Sequence, residues 1–158
     1  MKSLIAVAVV AGACFMTGGQ AFAQGSVDEN IELLRKDVRS QKKQIIAGNL
    51  DLTDEQAQQF WPIYDRYTAE VKGIYDAKFA LLKEYARIYA TMSDKQAEGY
   101  IQGRAGIEES MMQLRLKYFT EFRKVLPAKT TALFFQMDWR LTQIVDLQLD
   151  SQIPLIEP

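Results

Sequence analysis

The feature that most constrains the fold is an apolar repeat between residues 60 and 88. Its members follow one another at alternating steps of three and four residues, with Lys78 as the one interruption, and this spacing predicts a long α-helix over about 53–90. If continuous, such a helix is ~57 Å long, whereas a compact domain of ~135 residues is only roughly 37 Å across. The repeat therefore predicts an elongated helical hairpin, unless Pro62 folds the helix sharply. The members are Phe60, Tyr64, Tyr67, Val71, Ile74, Leu81, Tyr85 and Ile88.

Three further helices are predicted, over about 27–47, 94–125 and 127–150. Ser26 to Glu29 form a capping box at the start of the first, and Pro127 is typical of the first position of the last. No strand pattern is present. The predicted fold class is therefore all-α: an elongated hairpin of two long helices, with a shorter N-terminal and a C-terminal helix packed alongside, in a single domain over 24–158.

The first 23 residues have the pattern of an export signal. A basic Lys2, an apolar run over 4–16 and the sequence Ala21-Phe22-Ala23 predict cleavage after Ala23 and a periplasmic mature chain. The apolar run is too short to span a bilayer, so we expect no transmembrane segment in the mature chain. Ala11 to Cys14 resembles a lipoprotein box, and a lipoprotein anchored at Cys14 is the minor alternative.

The residue types of the chain exclude several chemistries. Histidine is absent, and Cys14, the one cysteine, would leave with the signal. The usual general base and the commonest transition-metal ligand are therefore missing, and so are thiolate sites. A net charge of −1 gives no general attraction to nucleic acid. We expect no enzyme, no catalytic residue, no cofactor, no metal site and no nucleic-acid partner.

Two of the predicted helices begin with the same signal. Leu52, Thr53 and Gln56 supply an apolar residue, an N-cap and a capping-box partner, and this pattern returns in a degenerate form at residues 92–96. The second copy consists of Met92, Ser93 and Gln96.

This pair of motifs resembles the paired LTxxQ motif of the Spy/CpxP family of periplasmic helical proteins. The resemblance covers roughly residues 48–126. It implies a cradle-shaped antiparallel homodimer that acts as an ATP-independent chaperone or as a modulator of envelope-stress signalling.

The aromatic content predicts an open apolar surface. Fifteen rings in the predicted helices are more than a thin layer of helices hides easily, so some should meet a second subunit or a client, although a bundle that buries all of them is the alternative. The predicted partners are unfolded or partly folded envelope proteins, or a sensor's periplasmic domain. The second partner corresponds to the alternative function, a non-catalytic adaptor or structural protein that recognises one envelope protein. The candidate client-binding residues are Arg66, Tyr67, Lys83, Arg87, Arg104 and Arg115.

Overall fold

The computed structural model describes residues 40–151 and 153–156, which belong to one unit, Ser40–Pro158. The predicted export signal with Cys14, and the predicted helix as far as residue 39, lie outside the described residues.

Four helices make up nearly all of this part of the chain. Residues 40–49 form α1, Asp54–Ile88 form α2, Asp94–Arg123 form α3 and Ala128–Asp150 form α4, with a 3₁₀ turn over Tyr89–Thr91. Residues 40–151 and 153–156 contain no strand. The predicted all-α fold is confirmed, and the ends of α2, α3 and α4 lie within two residues of the predicted bounds.

Helix α2 continues through Pro62 as one helix of 35 residues. It is therefore ~52 Å long. The ring of Phe60 lies 5.1 Å from that of Phe122, and the ring of Tyr85 lies 4.4 Å from that of Tyr100. Since residue numbers rise along α2 as they fall along α3, the two long helices form an antiparallel hairpin, as predicted.

Helix α4 packs along one side of this hairpin. Tyr67 donates to Asp138 and Lys78 donates to Asp146, so α4 runs parallel to α2. Arg104 of α3 reaches Asp150 near the other end of α4. The hairpin is thus covered by α4 on one side.

The core lies where α1 meets the other three helices. It contains aliphatic residues such as Ile46 and Leu50, and a dense group of rings in contact with one another. Helix α4 therefore covers most of the aromatic surface, and only some of the rings stay open. Among the rings of the described residues, only those of Tyr89, Phe119 and Trp139 are exposed. The core rings are Phe60, Tyr64, Tyr67, Tyr118, Phe122, Phe134 and Phe135.

One glycine marks a close approach between α2 and α3. A Cβ at Gly103 would lie 3.1 Å from a methyl carbon of Leu81, whereas Cβ atoms at Gly99 and Gly106 would meet nothing within 4 Å. Of these three glycines, Gly103 is therefore the one at a close contact between the two long helices.

Candidate functional site

The first cap motif holds the start of α2 against the core. The Thr53 hydroxyl accepts from the Gln56 amide at 3.2 Å, and the Gln56 side chain accepts from the Thr53 amide at 3.0 Å. Leu52 is half-buried and packs against the core cluster. The predicted capping box is confirmed, and its role here is to begin a long helix rather than to form a binding site.

The second cap motif is similar at the start of α3. The Gln96 side-chain oxygen accepts from the Ser93 amide at 2.9 Å and also from the Ser93 hydroxyl at 2.9 Å. Met92 is half-buried. Both motifs therefore act on the two long helices, which position every surface described below.

The predicted client-binding residues are divided between surface and interior. Arg66, Lys83 and Arg87 are exposed on α2, and Arg87 pairs with Glu84 one turn away. The hydrogen bonds between them lower the pKa of Glu84 and raise that of Arg87.

The other three predicted residues face α4. Tyr67 is fully buried, Arg115 is buried beside Asp138, and Arg104 is half-buried with Asp150. The prediction that Tyr67 binds clients at the surface is therefore wrong. Its ring lies inside the core, and its hydroxyl donates a hydrogen bond to Asp138 of α4. The six residues do not form one patch.

Asp138 gathers a buried polar cluster at the junction of all four helices. It accepts from the Tyr67 hydroxyl at 2.9 Å and from Arg115 Nε at 3.1 Å, both through Oδ2. The Lys42 ammonium of α1 lies 2.6 Å from Oδ1 as an ion pair, without the angles of a hydrogen bond. Burial, followed by the charge of Asp138, raises the pKa of both Tyr64 and Tyr67.

A second polar group joins α2 and α3 away from α4. Glu70 accepts from Lys117 Nζ at 2.6 Å and from the Tyr118 hydroxyl at 2.7 Å. These hydrogen bonds, that of Lys117 first, lower the pKa of Glu70. Burial, followed by the hydrogen bond to Glu70, raises the pKa of Tyr118 to about 12. The group borders an open groove of about 540 Å³ whose walls include Ile74, Ile107 and Leu114.

Four exposed apolar residues share one face of α3, three of them within two turns and Ile101 three turns earlier. Ile101, Met112, Leu116 and Phe119 are 61%, 45%, 56% and 43% exposed, and steps of eleven, four and three residues place them on one face. Trp139 of α4 is also exposed, and its ring lies 5.7 Å from the guanidinium of Arg115, the residue before Leu116. We call these five residues the apolar strip.

The apolar strip continues into a cationic side chain. Arg123 lies one turn beyond Phe119 and is exposed, and its guanidinium donates to the Leu126 carbonyl. Arginine stems of this kind can cover apolar groups while their charges stay hydrated.

The structure also adds residues that the sequence analysis did not select. Lys78 is buried on the face of α2 toward α4 and pairs with Asp146 at 2.6 Å. Asp138 lies four residues after Phe134, on the apolar face of α4. In both cases the sequence places a charged residue at an apolar position of a helical repeat. A charge buried at such a position requires a partner of opposite charge, and this was the signal that could have identified both residues.

Within residues 40–151 and 153–156, no group of three or more acidic, histidine or cysteine residues is placed to hold a metal ion. No helix of that part of the chain is long and apolar enough to cross a membrane.

The fold defines an all-α protein built on a long antiparallel hairpin with one covering helix. No family model, curated protein or solved structure matches the chain.

Proposed function

We propose that this chain is an exported, ATP-independent chaperone-like or envelope-stress protein that binds apolar client segments on its helical surface. The observation that carries the proposal is the apolar strip, because several exposed apolar side chains on one face are typical of interaction surfaces. The paired cap motifs of α2 and α3 support it through their resemblance to the Spy/CpxP family.

The mechanism is surface capture of an unfolded segment. The complex is stabilised because the segment buries its own apolar groups on Leu116, Phe119 and Trp139. Each Å² of apolar surface removed from water contributes ~25 cal/mol. The contact needs neither a nucleotide nor a reacting group. Arg123 at the end of the apolar strip can pair with acidic residues of the client without leaving water. A homodimer would place two such strips in one assembly.

The test is an aggregation assay with the purified chain and no ATP. Light scattering by a denatured client diluted from urea should fall when stoichiometric protein is present. Leu116→Gln should weaken this suppression, because it removes a side chain that is 56% exposed in the apolar strip.

Leu133→Gln is the matched control. Leu133 is also an exposed leucine, 41% exposed, but it lies on α4 outside the apolar strip. Equal scattering with and without the protein would refute the chaperone proposal. Equal weakening by both variants would refute the apolar strip as the client surface. Capture of a single envelope protein without any suppression would instead favour the adaptor function.

A further inference from the structure

The interior under α4 changes character along the helix. All four buried residues of α4 lie between Thr131 and Asp138, whereas none of the described residues after Asp138 is buried. On the hairpin side, Leu82, Tyr85 and Met111 are buried but lie outside the core cluster. The second half of α4 therefore contributes no fully buried side chain to the interior, unlike the first half.

Polar contacts hold this second half instead. Asp146 accepts from Lys78 Nζ at 2.6 Å and from the Tyr75 hydroxyl at 3.2 Å. The Asp150 side chain accepts from two nitrogens of Arg104 at 3.0 and 3.2 Å.

The contacts continue beyond α4, where the Tyr85 hydroxyl donates to the Pro154 carbonyl at 2.6 Å. We call residues 141–151 and 153–156 the cover.

The two carboxylates that hold the cover remain in contact with solvent. The side chains of Asp146 and Asp150 are 33% and 43% exposed. The pair of Arg104 with Asp150 therefore contributes little to stability, whereas Asp146 pairs with the buried Lys78. Ile144 and Leu147 of the cover are exposed, and its Leu141, Val145 and Leu149 are only half-buried. Segments with few buried apolar contacts are those that open locally while the rest of a domain stays folded.

The side chains of the cover also indicate which kind of segment the α2–α3 surface beneath it can bind. It presents two carboxylates one turn apart, Asp146 and Asp150, with the half-buried apolar Val145 and Leu149 beside them. Lys78 is buried in this contact, so an occupant without a carboxylate opposite it would leave an ammonium group without its counter-charge. The surface therefore favours acidic segments over neutral ones.

We propose that the α2–α3 surface beneath the cover is a binding site for acidic amphipathic helices, which the chain's own C-terminal helix occupies in an autoinhibitory contact. This inference rests on the proposed function, because it names a client class and a second surface for it. A client of that class displaces the cover and pairs its carboxylates with Lys78 and Arg104.

The test uses the full chain and a fluorescent peptide with the sequence of residues 138–156, followed by anisotropy. Asp146→Asn combined with Asp150→Asn weakens the cover but leaves the binding surface intact. This double variant should bind the peptide at least ~5-fold more tightly than the natural chain, since a larger fraction of its molecules is open. A peptide with asparagine at the same two positions should bind at least ~10-fold more weakly than the natural peptide.

Glu84→Gln is the control variant, because it removes a carboxylate that pairs with Arg87 within α2. Its affinity for the peptide should equal that of the natural chain. Equal affinities for all three proteins, or equal binding of the acidic and the asparagine peptide, would overturn the proposal.

Hydrogen exchange provides a readout that is independent of client activity. In the double variant the amides of residues 141–150 should exchange faster, while those of residues 60–67 stay protected and show that the chain is folded. Unchanged exchange in 141–150 would overturn displacement of the cover even if aggregation is suppressed. Specific peptide binding without any suppression of aggregation would refute the proposed function and leave this binding site in place.

Discussion

Asp138→Ala should be among the most destabilising single substitutions in this chain. The carboxylate is fully buried and meets the Tyr67 hydroxyl, Arg115 Nε and the Lys42 ammonium within 2.6–3.1 Å. Its removal leaves the buried Arg115 without its counter-charge, a loss that typically costs ~3–5 kcal/mol. Two hydrogen bonds to a charged acceptor, at ~1.5–3 kcal/mol each, give ~3–6 kcal/mol. The two routes agree on about 4 kcal/mol.

The assay is urea unfolding at neutral pH, followed by helical circular dichroism. With a slope of ~2 kcal/mol per M, a loss of about 4 kcal/mol lowers the midpoint by ~2 M. Asp65→Ala is the control, because its ion pair with Lys43 is exposed on both sides and should contribute less than ~1 kcal/mol. Asp138→Asn keeps the shape and one acceptor oxygen, so it should fall between the two. An Asp138→Ala midpoint no lower than that of Asp65→Ala would refute the reasoning.

Three smaller effects follow from the caps, the glycines and the buried tyrosines. Thr53→Ala should cost ~1 kcal/mol through the lost cap of α2, and an unchanged urea midpoint would contradict that role. Gly106→Ala should stabilise the chain by ~0.5–1 kcal/mol, because its Cβ enters open space. Gly103→Ala should gain less, because Leu81 must shift, and equal gains at both positions would argue against the close contact. Burial is the main cause that raises the pKa of Tyr67 and of Tyr118, the latter to about 12. The unfolded chain loses these protons first, so this part of the stability is complete below pH ~10 and is lost as the pH rises toward the folded pKa values. Urea midpoints that stay constant between about pH 8 and 11 would contradict this expectation.

The sequence predicted the helices well because the signals for a helix are local. The cap at Thr53 lies within one turn of the residues that it serves, and the apolar steps after Phe60 depend only on the helical period. The effect of Pro62 did not follow from the sequence, since a proline removes one helical hydrogen bond but does not fix the angle by which the helix bends. In the structure, α2 continues through Pro62 without a break.

The candidate surface was harder to predict, because exposure depends on which helices meet. The period places Tyr67 and Arg115 on helix faces, but it does not state that α4 lies over both. Phe119 and Trp139, in contrast, remain exposed although their ring types favour burial. Sequence pattern predicts which residues share a face, whereas the neighbouring helix decides whether that face is open.

The charges under α4 also explain why this helix packs in one register. A slide of one turn would still offer Lys78 a carboxylate, that of Asp150 in place of Asp146. It would at the same time bring Thr142 to the place of Asp138 and leave Arg115 without its buried partner. The buried rings of α4 oppose the same slide, because it would bring the carboxylate of Asp138 to the fully buried place of Phe134. The buried carboxylate of Asp138 and the buried rings of α4 therefore specify the same register, and fixing a register is the best-attested role of buried charges in helical bundles.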